Sequence, residues 1–591
     1  MSWTPKRSLA EAEDILCGPG CPHEVETRLI DGKLLRVYKN LAPTLRDFWV
    51  SAAEKNGDKT YIVFGSERLT YRQVFDRSVR TAGIFYTIYG IRKGDRVAVC
   101  SRNVSEYLII FWATHLLGAI PALVNAWLPL ESLTFCIVHT QPRLLIVDAE
   151  RAEVLAPAVD KTCAEAGIAA VLVLHPKRIP QGMENYHTAI DKYDGSYKDI
   201  FKDYPTISPE DNAAIMFTSG TTGLPKGVLS TQRQFLTNTQ LLRRGGSLPD
   251  PAAQAQEPQK GALIAVPLYT VIFPAHTLVS SHHLKMLATM SGMKIILMTK
   301  LIRKENVGVA GGIPAMVSDL IDSSIAGYPL EGLFFGGSPA PEILSSRARE
   351  IFPTAELSQG YGLTETNSIS VAIAGEDYMT RPGTTGLPSP VNEVAIVDNG
   401  IKLPRGQTGE VWLRGPNVME GYWRDPAATN NVLTTDGWLK SGDLGMQDKE
   451  GFLYIKDRST TYSLSSDLDI IIRGGESISS ISIENALFND SRIAEVAAVG
   501  LPDTRLGELV AAVVSVKPTF KGKVTEEQVL ALARKTFFRA YSGGFVILII
   551  VCLPIEELTP SGKIVKGSLR TIAQREWEKR NGLASWAQSR L

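Results

Sequence analysis

From Leu69 to Asp148 short apolar runs alternate with stretches in which apolar and polar positions take turns every three to four residues. Tyr71 to Tyr86 carries the spacing of one helix face, Arg96 to Cys100 is a short apolar run, and Tyr107 to Leu117 is helical again. Gly118 to Val124 and Leu144 to Val147 then read as strands. Such alternation predicts parallel sheets covered by helices, an α/β architecture. The same grammar continues through Ala169 to Leu174, Ala213 to Phe217 and Gly261 to Val266. Around Gly383 to Leu413 the segments shorten and turn residues crowd, which predicts a small β subdomain. Charged turn sequence fills Asp443 to Arg458, and a Ser/Thr stretch follows. The main boundary is placed there, giving a large domain over 1–457 and a smaller α+β lid over 458–588. Helix and strand signals of the lid reach Arg570, and Val/Ile enrichment in Phe545 to Leu553 marks a buried strand. Residues 245–260 read as a solvated loop.

At 591 residues the chain exceeds what one hydrophobic core serves, in keeping with two or more domains. Its 62 basic and 62 acidic residues balance, which argues against a nucleic-acid partner or a polybasic membrane surface. Six cysteines in such a length make no disulfide framework, and Cys17 and Cys21 lack a second pair to complete a zinc site. No apolar run reaches the ~20 residues of a membrane-spanning helix. The final Ser589-Arg590-Leu591 is a conservative variant of the peroxisomal Ser-Lys-Leu address, here following Trp586-Ala587-Gln588 as an exposed tail. That tripeptide sets an expectation of a peroxisomal protein recognised by the import receptor.

Four strings carry chemistry. Thr218-Ser219-Gly220-Thr221-Thr222-Gly223-Leu224-Pro225-Lys226-Gly227 follows an apolar run and packs glycines, hydroxyls and one lysine into a loop. Glycine lets backbone N–H groups turn toward an anion, and the lysine adds a mobile charge, so the loop reads as a triphosphate cradle. It is not a Walker loop, because the Gly-Lys-Ser/Thr spacing is absent. In Gln359-Gly360-Tyr361-Gly362-Leu363-Thr364-Glu365-Thr366 an aromatic between two glycines can stack on a flat base, and Glu365 can hold Mg²⁺. The plainer reading there is a strand end and a helix cap at Thr364. Asp443, within Gly437 to Gly445, can accept hydrogen bonds from vicinal hydroxyls, and Arg458 can donate to the same sugar. Asp448 to Gly451 reads as a β-turn. Lys563, at the tip of Thr559-Pro560-Ser561-Gly562, is presented outward and out of context is a solvated lysine.

In this order the four strings resemble the adenylate-forming enzyme superfamily of acyl-CoA synthetases, luciferases and peptide-synthetase adenylation domains. The likeness is nearest in kind to peroxisomal fungal and plant-type acyl-CoA ligases, and it spans roughly residues 40–570. Gly336-Gly337-Ser338-Pro339-Ala340-Pro341, Gly421-Tyr422-Trp423 and Gly474-Gly475-Glu476 add to it. The resemblance implies a large multi-layer αβαβα domain, a small β subdomain and a mobile lid. It implies a two-step reaction: a carboxylic acid and ATP give an acyl-adenylate and pyrophosphate, and coenzyme A then displaces AMP. By the same resemblance Lys226, Thr364, Glu365 and Lys563 are the catalytic candidates, and Thr218 to Gly223 hold phosphate. Tyr361, flanked by Gly360 and Gly362, faces adenine, Asp443 and Arg458 grip the ribose, and Gly475 lines the coenzyme A tunnel. Tyr269, Gly336, Gly337 and Ser338 line the acyl pocket.

Four departures accompany the likeness. Thr231-Gln232-Arg233 stands where the family often has Thr-His-Arg, and Pro267-Leu268-Tyr269-Thr270 lacks the histidine of the substrate-gating string. Thr460 to Asp467 reads as an insertion in the hinge, with Leu468 where the hinge Lys or Asp is expected. Thr299 to Val309 is short for a strand–helix–strand crossover. The leading expectation is an ATP-dependent carboxylate–CoA ligase, serving either degradation or specialised-metabolite biosynthesis. Other readings share the motifs: a luciferase-like adenylating monooxygenase, a stand-alone peptide-synthetase adenylation domain, and a nucleotide-binding pseudo-ligase with an impaired hinge.

Overall fold

In the computed structural model the described residues are 9–21, 23–191, 205–218, 224–238, 258–264, 266–269, 285–288, 295–337, 340–458, 470–473, 476–503, 507–537, 547–551, 564 and 566–588. Among them an eight-stranded sheet runs in the order Gly421–Tyr422, Gly227–Thr231, Asn212–Phe217, Ile120–Leu123, Arg96–Cys100, Leu144–Asp148, Ala170–Leu174 and Glu184–Asn185. A nine-stranded sheet has Leu387–Pro388, Ser368–Ala374, Glu356–Leu363, Gly332–Gly336 and Val307–Gly312 on one side. Gly261–Ile264, Lys285–Ala288, Thr60–Phe64 and Glu67–Thr70 complete it. The central neighbours in both sheets are parallel, as the alternating pattern requires.

Helices Leu45–Asn56, Tyr71–Thr87 and Ser105–Leu116 supply the core shared by the two sheets. Every residue of Ser105–Leu116 is buried, so its apolar character runs all round rather than along one stripe. Trp112 stacks on Trp49 with ring centroids 4.6 Å apart, and its indole N–H donates to the Tyr61 hydroxyl at 3.2 Å. Burying an aromatic of this size contributes about 2–3 kcal/mol, and the hydrogen bond removes the penalty for its polar tip. Thr70 caps Tyr71–Thr87 in a capping box with Gln73, which sets where that helix starts.

The predicted β subdomain is a five-stranded antiparallel sheet, ordered Ile401–Lys402, Glu393–Asp398, Thr408–Arg414, Leu439–Gln447 and Leu453–Arg458. The Asp448 carboxylate accepts from the N–H groups of Glu450, Gly451 and Phe452, so the stretch is the turn that its composition predicts. Towards the C-terminus Ile493–Asp503, Gly507–Val516, Ile470–Arg473, Glu476–Ser479 and Ile547–Val551 form a separate sheet with its own core. The architecture is therefore α/β with a large N-terminal domain and a small α+β C-terminal domain.

Two expectations change. The crossover near 299 is complete: helix Ile295–Lys304 lies between the parallel strands Lys285–Ala288 and Val307–Gly312. Its apolar start, Ile295-Ile296-Leu297-Met298, hid the helix because it shows no polar interruption. The helix Lys566–Gln588 runs on past Arg570, where the sequence signals end, and takes in Trp586-Ala587-Gln588, which the sequence reads as a tail. Its buried Leu569 and Ala573 pack on the inner face of the last sheet, so packing rather than a strong local signal fixes it.

Between the two cores Lys517 pairs with Asp322 at 2.6 Å, and Arg347 bonds the other Asp322 oxygen at 2.8 Å. Asp319 and Glu495 lie in the same region. Burial, with the Asp319 charge second, pushes the Glu495 carboxyl up to about 7. Asp319 is also raised, by burial first and then by Asp322.

Candidate functional site

The phosphate-loop string is a hairpin between antiparallel strands Asn212–Phe217 and Gly227–Thr231. Its two ends close on each other, since the Thr218 N–H donates to the Lys226 carbonyl at 3.0 Å. Residues Ser219, Gly220, Thr221, Thr222 and Gly223 lie outside the described residues. The base of the loop is packed from behind. A Cβ on Gly227 would meet Ile215 at 2.9 Å, and the Trp423 N–H bonds the Gly227 carbonyl at 2.7 Å. That second contact brings the 421–423 string against the loop. The Lys226 ammonium then lies 5.1 Å from the Tyr422 ring centroid, a cation–π distance.

The second string forms a strand, Glu356–Leu363, ending in a 3₁₀ turn, Thr364–Thr366. Asn367 and Ser368 follow with φ of 53° and 118°, left-handed values that a non-glycine residue adopts only when its surroundings impose them. A buried asparagine network does so. Asn238 donates to the carbonyls of Thr366 and Asn367 at 3.2 and 2.7 Å. Asn417 donates to Thr366 O and Ser370 Oγ, while Asn367 donates to Asn417 O. Asn392 in turn donates to the Asn417 side chain. Gly362 is required here sterically, because a Cβ would lie 1.6 Å from the Ser368 carbonyl oxygen.

This turn places Glu365 and Tyr361. The Tyr422 hydroxyl donates to Glu365 Oε1 at 2.7 Å, and the Tyr361 hydroxyl donates to Asp443 Oδ2 at 2.6 Å. The Asp443 N–H donates to Ser441 Oγ at 3.0 Å, and Asp443 sits opposite Arg458 in register. Lys226, Tyr422 and Glu365 are thus linked in sequence of contact, and Tyr361, four residues before Glu365, carries the link to Asp443. Four of the sequence candidates are thus brought together, Lys226 with Glu365 through Tyr422 and Tyr361 directly with Asp443. The Tyr361 ring is tethered through its hydroxyl and packs, partly buried, against the core of the small β sheet.

The acyl-pocket candidates divide. Gly336 pairs with Gly360 across parallel strands, and a Cβ on Gly336 or Gly360 would strike the Phe334 ring at 2.7 or 3.2 Å. Gly337 takes φ of 82°, which glycine favours, and Ser338 lies outside the described residues. Tyr269 is buried in the core of the first sheet, 5.9 Å from the Trp127 ring centroid. Burial, with the Cys100 thiol second, pushes its phenol up, so it stays neutral. Lys563, Gly475 and the hinge stretch Thr460 to Asp467 lie outside the described residues, as does the Ser589-Arg590-Leu591 tripeptide. Arg458 is placed by its strand register alone.

The departure at Gln232 has a structural role. Its amide accepts from the Leu45 N–H at 2.9 Å and donates to the Asn212 carbonyl at 3.3 Å, tying helix Leu45–Asn56 to the phosphate-loop strand. Thr231 caps the helix that begins there, with Gln234 closing the capping box. The sequence reading passes over Tyr422 as a site residue and passes over Asn238, Asn392 and Asn417. The string Gly421-Tyr422-Trp423 was the available signal for the first, and the asparagines gave none.

A carboxylate that keeps one oxygen on a phenol and faces a phosphate loop fits Mg²⁺, which takes one or two protein carboxylates and completes its shell with water and phosphate. Glu365 has that arrangement, since among the described residues Oε2 carries no hydrogen bond.

The AMP-binding enzyme profile matches residues 49–423, and the AMP-binding enzyme C-terminal domain profile matches 482–563. A probable acyl-activating enzyme of Arabidopsis thaliana is 30% identical over 90% of this chain and 96% of its own length. A long-chain-fatty-acid–CoA ligase of Mycobacterium tuberculosis is 28% identical over 85% of this chain and 93% of its own. In fold, the chain superposes on o-succinylbenzoate CoA synthetase of Bacillus subtilis, solved with its acyl-adenylate intermediate, with a TM-score of 0.70 at 23% identity. That match covers 89% of this chain and 98% of the synthetase. Taken with the contacts that Lys226, Tyr361, Glu365 and Asp443 make, these matches show that the chain belongs to the AMP-binding enzyme family.

Proposed function

We propose that this protein is an ATP-dependent carboxylate–CoA ligase: a carboxylic acid and ATP form an acyl-adenylate with release of pyrophosphate, and coenzyme A then displaces AMP. The contact set Lys226–Tyr422–Glu365 with Tyr361–Asp443 supports this reading best, because it joins a phosphate end, a base face and a ribose acceptor in one cleft. Relatives named as CoA ligases for long-chain fatty acids, 2-succinylbenzoate and 4-coumarate favour it over oxidation or peptide synthesis.

In this reading Lys226 and the loop N–H groups hold the β- and γ-phosphates, where a low-dielectric cleft strengthens their charge. Asp443 accepts from the ribose hydroxyls, with Arg458 donating beside it, and the Tyr361 face meets adenine. Thr364 starts the turn that aims Glu365. Glu365 is the group that would hold Mg²⁺, and the ion when bound neutralises charge between phosphate oxygens. Lys563 approaches the acid during adenylation, and Gly475 borders the path of the coenzyme A arm. Gly336, Gly337, Ser338 and Tyr269 bound the acyl group. The boundary at 457/458 separates the two domains, and the small one swivels between half-reactions. The final tripeptide takes the enzyme to the peroxisome, where a fatty or aryl acid is activated for breakdown or for a specialised metabolite.

The test is pyrophosphate exchange over a panel of fatty, hydroxylated and aryl acids, followed by coenzyme A-dependent release of AMP. Exchange that needs an added acid and is converted to a thioester on adding coenzyme A is expected. Nucleotide binding with no exchange for any acid would overturn the ligase reading and favour the pseudo-ligase. Localisation of a fluorescent fusion with and without the last three residues tests the address separately.

A further inference from the structure

On the far side of the eight-stranded sheet from the phosphate loop, three side chains from distant parts of the chain converge. Glu106 sits in the first turn of helix Ser105–Leu116 and is 8% exposed. His175 follows strand Ala170–Leu174 with left-handed φ of 47°, and His187 lies in helix Tyr186–Asp191. His175 Nε2 is 3.0 Å from Glu106 Oε2, and His187 Nε2 is 3.6 Å from Glu106 Oε1. One ligand atom from each residue falls within 4.8 Å of the other two.

A buried carboxylate ordinarily pairs with a cation or coordinates a metal. Among the described residues no lysine or arginine forms an ion pair with Glu106; its partners are the two imidazoles. A second observation points the same way. His187 Nε2 is shielded from solvent, has no hydrogen-bond partner, and faces the carboxylate beyond bonding distance. His175 and His187 have ring centroids 4.8 Å apart, and small side-chain rotations bring the three donors onto one ion at the ~2.0–2.2 Å of zinc ligation.

We propose that Glu106, His175 and His187 form a Zn²⁺ site, with water completing a tetrahedral shell on the solvent side of His175. Two imidazoles and a carboxylate suit zinc better than a hard cation such as Mg²⁺. Its role is structural. In the sheet, Ile120–Leu123, Arg96–Cys100 and Leu144–Asp148 separate Asn212–Phe217 from Ala170–Leu174, so four strand spacings, ~19 Å in all, part this site from the phosphate-loop strand. The ion ties the start of helix Ser105–Leu116 to the sheet edge and to helix Tyr186–Asp191, where the fold otherwise has a strained residue and a buried anion.

The experiment uses the full chain, stripped with a chelator and titrated with Zn²⁺ alone by calorimetry, and with Co²⁺ by absorption. One equivalent of Zn²⁺ is expected to bind and to raise the melting temperature. Co²⁺ is expected to give visible d–d bands without the near-ultraviolet sulfur charge-transfer band that a cysteine ligand would produce. H175Q and H187Q replace partly exposed side chains and leave the core intact; each lost ligand should weaken Zn²⁺ binding by about 100-fold and abolish the thermal shift. No binding by the wild-type chain, undiminished binding in an H175Q/H187Q variant, or a sulfur-ligated cobalt spectrum would each overturn the proposal.

Discussion

The two sides of the candidate site are built by different means. On the phosphate side the chemistry is carried by consecutive residues, and the described structure contributes little more than a hairpin closed from Thr218 to Lys226. On the Glu365 side the chemical groups are few, and a buried network from four distant segments forces the turn that aims them. A carboxylate that must meet a metal ion gains from being fixed beforehand. Changes on the first flank should therefore alter activity alone, and changes on the second should alter stability as well.

The hardest test of that contrast is Gly362→Ala. With a Cβ meeting a carbonyl oxygen it should cost about 3 kcal/mol or more in urea unfolding, along with most of the exchange activity. Next, Lys226→Ala should lower acid-dependent pyrophosphate exchange about 100-fold while leaving the urea midpoint unchanged. A comparable loss of stability there would erase the distinction. Asn417→Ala removes donors to Thr366 and Ser370 and should cost about 2 kcal/mol by denaturation, with exchange falling in step. Tyr422→Phe deletes only the hydroxyl on Glu365 and should slow exchange about tenfold, with a rise in the Mg²⁺ concentration needed.

The smallest effect lies away from the cleft. The Glu495 carboxyl is raised in the fold, so the folded chain holds its proton at pH values where the unfolded chain has released it. Stability contributed by that proton is full below the ordinary glutamate value and is lost as pH climbs through about 7. Glu495→Gln should flatten this decline between pH 5 and pH 8 in thermal melts (about those limits). An unchanged slope would place the titration elsewhere.

The same contrast explains what could be read in advance. Thr218 to Lys226 and Gln359 to Thr366 were legible because their function is local: glycines, hydroxyls and charges in a fixed order. Alternating periodicity likewise announced Tyr71–Thr87, Arg96–Cys100 and the parallel sheets. Asn238, Asn392 and Asn417 were illegible, because an isolated asparagine reads as a turn residue until tertiary contact turns it into a brace. Gln232 looked like a loss beside the family's histidine, yet its amide accepts from one backbone group and donates to another. Helices Ile295–Lys304 and Lys566–Gln588 were obscured for opposite reasons, an apolar start without interruption and a largely polar length.

Gly336 and Gly360 stand side by side on adjoining strands, and one phenyl ring, that of Phe334, fills the volume both decline. Three positions thus share a single vacancy, and their substitutions cannot be scored one at a time. Trimming Phe334 should make an added methyl at Gly336 tolerable, so that double change would be milder than the sum of its halves, whereas a methyl at Gly360 would still meet the Ile369 side chain at 3.0 Å.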